Sequence, residues 1–452
     1  MIADVVDLSL LRAVLGWFFG LWWLWSVPIV LWLALEIWLV YIRDYYRYVT
    51  NQWILLEIKI PREIRKSPKA MEQVFLAVHA IQNSASDYQE RYWDGEVPLW
   101  FSFEVASFGG EIHFFMYIPK VRRNHLEAAL YAQYQDVEIT EAAHEPGGDY
   151  INRLPPTVEG LYNAGYRIFG NELLLSNIWG NKSVYPIRTY VDFEAVAEEK
   201  EVDPVATLLE TMARIPPQAY LWCQLLIEPK TGDRTDWHKE GQKEVESIKE
   251  RTGKRRMFSP QFGEFIMIDR APGDVELMKA IERKIAKPAF NFVLRYMFIS
   301  PSDVFSSSFG RRSVLSAMNQ YASETVSKFG HNVRAWTLAK IWFAPYVFPK
   351  RRARGRTERL YGRYRGRQMY KQDRFMERVF DMHFYDWGFV PAGMTRGRNV
   401  MNVEELATVY HLPTNLVLTG PLVKRVEAKK GGPPAGLAIY GEEGEGRELP
   451  GV

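Results

Sequence analysis

Cysteine is nearly absent from this sequence, since Cys223, within the apolar run AYLWCQLLIEP, is its single example. One thiol excludes an internal disulfide and a metal site built of several thiolates. A cysteine inside an apolar strand is usually a buried packing residue. The eight histidines show neither H-x-x-x-H nor H-E-x-x-H spacing, which excludes the usual helical zinc motifs. The sequence therefore predicts no bound metal.

Catalytic motifs are missing as well. The nearest approach to the phosphate-binding loop G-x-x-x-x-G-K-[ST] is IKERTGKR, in which Ile248 replaces the first glycine and Arg255 replaces the hydroxyl residue. That loop needs the glycine for its backbone cradle and the hydroxyl for magnesium, so we expect no ATPase activity from this chain alone. The G-x-S-x-G turn of serine hydrolases does not occur. The sequence predicts a protein that is not an enzyme and has no cofactor.

An excess of one charge is lacking too: 57 basic and 54 acidic residues leave a formal net charge of +3. Any affinity for nucleic acid or lipid headgroups must therefore come from local clusters. The apolar content of 47% and the aromatic content of 14% exclude a disordered chain. At 452 residues the chain has room for about three domains.

A long uncharged run stands out near the N-terminus. Residues 13–35 read AVLGWFFGLWWLWSVPIVLWLAL, 23 residues without a charge. At about 1.5 Å per residue such a helix spans about 34 Å, enough to cross a hydrocarbon core of about 30 Å. A secretory signal peptide has a shorter apolar region and a small-residue cleavage site. We predict a membrane anchor over residues 1–48, with a transmembrane helix over about 13–42.

The residues that flank this run predict its orientation. Arg43, Arg47 and Lys59 follow it, whereas Asp4, Asp7 and Arg12 precede it. The positive-inside bias then places the C-terminal portion in the cytoplasm, so we expect a single-pass protein of the inner (cytoplasmic) membrane. Glu36 lies near the predicted boundary and is expected to reach water.

The next segment, residues 49–143, predicts a ferredoxin-like domain. WILLEIKIP is typical of a strand, and SPKAMEQVFLAVHAIQ follows with a helical start signal. VPLWFSFEVASF and EIHFFMYIP alternate apolar residues on both sides of Gly109-Gly110, which predicts a hairpin. A helix from Lys120 and a last strand in DVEITEA complete the order β-α-β-β-α-β.

The remainder predicts a second unit of the same kind. Residues 144–185 read as a connecting segment with one short hairpin, and residues 186–300 as a second, interrupted α+β domain. Residues 301–420 read as a helical region with a basic insertion at 350–374, and residues 421–452 as a flexible tail. The predicted fold class is α+β: an N-terminal transmembrane helix, two ferredoxin-like units and a helical, basic C-terminal region.

The basic insertion begins KRRARGRTERLYGRYRGRQMYK at residue 350. Its three glycines and repeated arginines predict a flexible or partly ordered segment rather than a packed helix. Interleaved arginine and tyrosine suit the phosphates and bases of single-stranded nucleic acid, and the same cations suit an anionic lipid surface. A solvated segment without a partner remains open. The candidate contact residues are Arg351, Arg352, Arg354, Arg356, Arg359, Arg363, Arg365, Arg367, Tyr361 and Tyr364.

Three segments, IRTYVDFEA, DPVATLLETMARIPPQAYLWCQLLIEP and NVEELATVYHLP, carry a resemblance to a bacterial family. In that family a membrane helix and a plait-bearing domain of unknown function precede or accompany a conjugative DNA-transfer ATPase of the coupling-protein or FtsK/HerA type. The similarity covers about residues 50–441, and VKRVEAKKGGPPAGLAIYGEE resembles the linker to the motor. The motor itself is absent from this sequence, so its activity is not implied.

The resemblance implies a non-enzymatic, membrane-anchored accessory module of a DNA-transfer or type IV secretion-like machine. Such a module recruits or orients a separately encoded, hexameric ATPase, and single-stranded DNA and a second copy of the chain are further expected partners. The alternative is a stand-alone membrane protein that binds single-stranded nucleic acid or anionic lipid through its basic segment.

Overall fold

The computed structural model describes most of the chain. The described residues are 12–13, 16–17, 19–61, 66–82, 85–142, 148–176, 183–196, 203–230, 234–251, 254–259, 263–268, 271–322, 327–332, 335–338, 348–370, 399–413 and 425–426.

Helix α1 spans Trp22–Tyr45 and continues as one π-helical turn, Tyr46–Thr50. Across the helix and this turn, residues 26–50 are long and apolar enough to cross a membrane, with a mean hydropathy of 1.6. This agrees with the predicted single-pass anchor. Glu36 is only 4% exposed, so the expectation that it reaches water is wrong.

The first half of the domain contains every element that the sequence predicts for it. These are β1 (Trp53–Pro61), α2 (Lys69–Ala80), β2 (Phe101–Phe108), β3 (Glu111–Pro119), α3 (Arg123–Gln133) and β4 (Glu138–Glu141). Neighbouring strands are antiparallel in the order β4-β1-β3-β2. The turn between β2 and β3 requires glycine, because Gly109 and Gly110 have φ of +60° and +100° and a Cβ on Gly109 would lie 2.2 Å from the Pro217 carbonyl oxygen.

After the short helix α4 (Val158–Asn163), the second half repeats that strand order. Its elements are β5 (Tyr166–Ser176), α5 (Tyr190–Val196), α6 (Ala206–Ala213), β6 (Tyr220–Pro229), α7 (Arg234–Arg251), β7 (Lys254–Ser259), β8 (Gly263–Ile268), α8 (Pro272–Ala286), β9 (Ala289–Pro301), α9 (Ser307–Met318) and β10 (Lys328–His331). The order is β10-β5-β9-β6, again antiparallel, while β7 and β8 pair only with each other.

Strand β5 corrects one prediction. Its sequence, YRIFGNELLLS, falls in the predicted connecting segment and resembles a short hairpin because Gly170 and Asn171 are typical turn residues. It is instead one strand of 11 residues between β9 and β10. Gly170 allows a close approach: an added Cβ would lie 2.8 Å from Leu360 Cδ2 and 3.2 Å from the Tyr296 carbonyl oxygen.

The two halves form one sheet, because β2 and β6 pair antiparallel from Phe101–Ile227 to Phe108–Tyr220. Among the described residues this sheet has ten strands, including β11 (Val400–Asn402) beside β9 and β12 (Arg425–Val426) beside β1. We call the β2–β6 junction the seam.

Each face of the sheet is covered. One face packs against helices α2, α3, α6 and α9 and against α11 (Val403–Val409), which begins with a capping box formed by Asn402 and Glu405. The opposite face packs against residues 150–161 and against helix α10 (Pro349–Arg365). Residues 350–365 of the basic segment therefore lie on the sheet.

Candidate functional site

Helix α10 occupies the place where the sequence predicts a flexible segment, and for residues 349–365 that prediction is wrong. Arg352, Arg356 and Leu360 repeat at four-residue spacing and are buried on one side of the helix. Gly355 and Gly362 lie on an open side, where an added Cβ would meet nothing within 4 Å. Burial of one helical face thus outweighs the low helix propensity of glycine.

Below the C-terminal end of α10, four polar side chains form a row across four strands. Glu104 lies opposite Gln224, Gln224 opposite Arg295, and Arg295 opposite Glu172. We call these four residues the polar row, and all are at most 1% exposed. Arg295 Nε donates to Glu172 Oε1 at 2.7 Å, and Gln224 Nε2 donates to Glu104 Oε1 at 2.9 Å. Buried charges of this kind require partners, and the row supplies them within itself and from α10.

Arg367 is the main partner that the basic segment provides. Its Nε and Nη2 donate to the two oxygens of Glu104 at 2.8 and 3.1 Å. Its Nη1 and Nη2 donate to Asp149 at 2.6 and 3.0 Å, and its guanidinium lies over the Tyr117 ring. Burial alone lowers the pKa of Arg367, but Glu104 and Asp149 outweigh it and hold the pKa well above the usual value. The arginine therefore stays charged, and at the seam it connects Glu104 of β2 to Asp149 of the segment between the two halves.

Two tyrosines complete this contact. Tyr150 Oη donates to Glu104 Oε2 at 2.7 Å and lies 3.0 Å from Tyr364 Oη. The ring of Tyr364 stacks on Trp222 of β6 at 5.8 Å between centroids. Burial raises the pKa of both tyrosines well above the usual value, so both hydroxyls remain protonated donors.

The ten candidate contact residues of the basic segment divide by exposure. Arg352, Arg356, Tyr361, Tyr364 and Arg367 are buried, and Arg359, Arg363 and Arg365 are half-buried. Arg365 donates to the carbonyl oxygens of Ile151 and Leu154, and Tyr361 donates to that of Pro155. Arg351 and Arg354 are exposed, and Arg354 pairs with Glu358 and Glu159. Most of these side chains therefore make contacts within the protein and stabilise its fold.

Sequence reasoning missed the polar row itself. A usable signal was present: Glu104 in FSFEVASF and Arg295 in FNFVLRYMFIS are single charges inside otherwise apolar strands. A charge at such a position is rarely buried without a partner, so each predicts an unseen partner of opposite charge. The sequence does not indicate which residue that is, because Arg367 lies 263 positions from Glu104.

A second polar cluster lines a cleft of about 430 Å³ between α8 and α11. Lys284 Nζ lies 3.0 Å from Glu405 Oε2, with both side chains almost fully buried. Glu404 pairs with Arg283 at 2.6 Å and with Lys287 at 2.7 Å. Burial lowers the pKa of Lys284 and raises that of Glu405. Because each charge faces an opposite charge, the cluster holds α11 against α8.

Glu404 allows a pH test of this role. Burial raises its pKa, but hydrogen bonds from Lys287 and Thr189 outweigh that effect and set the pKa below the usual 4.5. Its stabilising contribution is therefore present above about pH 4.5 and is lost as the pH falls through the lower folded-state pKa. We expect Glu404→Gln to be less stable than the wild type at neutral pH, with a difference that narrows below pH 4.5, as thermal unfolding at several pH values will show. A difference that widens in acid would contradict this assignment.

Within the part of the chain that the structure describes, no group of three or more His, Cys, Asp or Glu side chains is placed to hold a metal ion.

Comparison with protein families matches residues 44–325 to a family described as a domain of unknown function (DUF8128). No curated protein matches the chain.

Proposed function

The chain belongs to the DUF8128 family, and we propose that it is a non-enzymatic scaffold that a single N-terminal helix anchors in the membrane. Its task is to present a rigid sheet platform at the membrane surface to a partner. In this proposal the membrane is the inner membrane and the platform faces the cytoplasm, as the basic residues after α1 suggest.

The observation that carries the proposal is the direct junction between α1 and the sheet. Leu39, Arg43 and Arg47 of the helical segment are buried, although each lies in or next to the candidate membrane span. Trp53, the first residue of β1, donates its indole N–H to the Arg47 carbonyl oxygen at 2.8 Å. A flexible linker would let the domain rotate freely, whereas this packing fixes its orientation to the helix.

Two finer features belong to the same proposal. The strand orders β4-β1-β3-β2 and β10-β5-β9-β6, with their intervening helices, support two ferredoxin-like units. The resemblance to domains that accompany DNA-transfer ATPases supports a separately encoded hexameric motor as the partner. The alternative, direct binding of single-stranded nucleic acid or anionic lipid by the basic segment, has less support because five of its ten candidate residues are buried.

Removal of residues 1–35 tests the anchor. We expect the shortened protein to move from the membrane fraction to the soluble fraction, since the deletion leaves the packed residues from Glu36 onward in place. Carbonate-washed membranes from cells that express each form provide the measurement. A deletion of residues 1–47 is the matched comparison, and it should be less stable because it also removes Leu39 and Arg43 from the core. Retention of the 1–35 deletion on washed membranes would defeat the proposed anchor.

The proposed motor partner requires its own experiment. The full-length protein is crosslinked in its native cells, then solubilised in detergent, purified by a C-terminal tag and analysed by mass spectrometry. We expect an ATPase with a complete phosphate-binding loop among the crosslinked proteins, and a variant that lacks residues 1–35 should lose it. If repeated experiments identify no ATPase among the crosslinked proteins, the motor partner is ruled out, and only the scaffold part of the proposal stands.

A further inference from the structure

A turn that is remote in sequence from α1 packs against its C-terminal part. Residues 86–95, which we call the interfacial turn, include one short π-helical stretch, Glu90–Asp94. Trp38 Nε1 donates to the Tyr92 carbonyl oxygen at 3.0 Å, and the rings of Trp38 and Trp93 lie 6.0 Å apart. Gly95 has φ of +69°, and an added Cβ would lie 2.8 Å from the Ile42 backbone. The turn is therefore fixed to the helix at the level of residues 38–42.

The turn is also internally braced. Glu90 accepts hydrogen bonds from the Ser86 amide at 2.7 Å and from the Ser86 hydroxyl at 2.8 Å. The Glu96 amide closes the other end by donating to the Glu90 carbonyl oxygen at 2.9 Å. A braced loop of this kind holds its side chains in place without a further partner.

Yet two aromatic side chains of the turn are largely exposed. Tyr88 is 83% exposed and Trp93 is 70% exposed, and the ring of Tyr88 stacks on that of Tyr92. Beside them, Tyr41, Tyr45 and Tyr48 of the anchor segment form an exposed stripe at helical spacing. Together these five side chains make an aromatic band, which a soluble surface seldom carries.

We propose that the interfacial turn inserts Tyr88 and Trp93 into the headgroup region of the bilayer, as a second membrane contact beside α1. The proposal rests on the membrane anchor of the proposed function. Tyrosine and tryptophan favour this layer because the ring enters the acyl boundary while the polar group stays hydrated. The band is continuous with the candidate span, which identifies lipid rather than a protein as its occupant.

Charge further defines the lipid. Asp87, Glu90 and Asp94 outnumber Arg91 within the turn, so anionic headgroups would repel it. The contact therefore depends on ring insertion and is satisfied by zwitterionic phosphatidylcholine. It also braces the sheet against rotation about the helix axis, because it adds a second point of attachment.

The single native cysteine makes a labelling test practical. Cys223 is buried, and burial raises the pKa of its thiol to about 12, so a thiol-reactive fluorophore will spare it. Tyr88→Cys and Trp93→Cys place the fluorophore on the turn of the full-length protein. Val304→Cys is the control, because this exposed residue follows β9 at the end of the sheet opposite α1. The nine residues of β3 show that the two ends of the sheet are about 27 Å apart. Leu31→Cys, on an exposed site of α1, reports the anchor itself.

The labelled proteins are reconstituted in phosphatidylcholine vesicles that contain a nitroxide lipid labelled near the headgroup. We expect the nitroxide to quench the fluorophore at positions 88 and 93, so that its emission falls by about twofold or more. Emission from the fluorophore at position 304 should stay unchanged. Quenching at 31 without quenching at 88 and 93 would overturn the second contact and leave the anchor. Absence of quenching at 31 as well would overturn both.

Discussion

Replacing Arg367 with alanine is expected to lower the free energy of unfolding by about 3–5 kcal/mol, because the change leaves a buried carboxylate without its cation. Glu104 is fully buried and receives two of its hydrogen bonds from Arg367. Its remaining donors, Ser102, Tyr150 and Gln224, are neutral and cannot compensate its charge. Thermal and denaturant-induced unfolding of the solubilised protein, followed by tryptophan fluorescence, measures the loss.

A matched control lies in the same basic segment, on helix α10. Arg354 is exposed and pairs with Glu358 and Glu159, so Arg354→Ala should leave the stability almost unchanged. Arg367 has a φ of 46°, a conformation that glycine adopts without strain, so Arg367→Gly separates the loss of charge pairing from backbone effects. If Arg367→Ala and Arg354→Ala were equally mild, the seam contact would not hold α10 on the sheet.

The second large effect is expected at Lys284. Replacing it with alanine leaves Glu405, which is fully buried, without a cation at 3.0 Å, and should also cost about 3–5 kcal/mol. The Ile187 and Asn402 amides still donate to this carboxylate, so its geometry is kept while its charge is not balanced. The same unfolding measurements apply, together with limited proteolysis of the segment around residue 403.

A paired variant tests whether the loss comes from charge or from packing. Lys284→Met with Glu405→Gln removes both charges at similar volume, and the glutamine side-chain oxygen can still accept from the Ile187 amide. This double variant should recover much of the stability, because no buried charge is then left without a partner. Lys279→Ala, on the same helix at an exposed position, should have little effect. A double variant as unstable as Lys284→Ala would contradict the charge explanation.

Much of the fold could be predicted from local patterns. The hairpin around Gly109-Gly110, the strands of 53–61, 220–229 and 289–301, and the capping box at Asn402 and Glu405 are each specified by residues close in sequence. Alternation, turn glycines and caps act over a few residues, so they can be read without the tertiary structure.

The errors share one physical origin. Gly170 suggested a turn, but a glycine is needed there because Leu360 packs closely against it. Leu360 is almost two hundred positions away in the sequence, so this contact could not be predicted. The glycines of the basic segment suggested flexibility because the sheet that stabilises its buried face is built by other strands. For the same reason Arg367 could be recognised as a cation but not as the partner of Glu104. Long-range burial outweighed local propensity in each case.

The seam has a consequence for the order of events during synthesis. A ribosome adds about 5–20 residues per second, so the 263 residues between Glu104 and Arg367 take about 13–50 s to make. During that interval β2 lacks its neighbour β6 at first, and the Glu104 carboxylate lacks its guanidinium until the end. The nascent first half thus exposes the unpaired edge of β2 and, at Glu104, a carboxylate without its cation on an otherwise apolar strand. Chaperone binding to arrested nascent chains should therefore be greatest before residue 220 emerges and should cease only after residue 367 has left the exit tunnel.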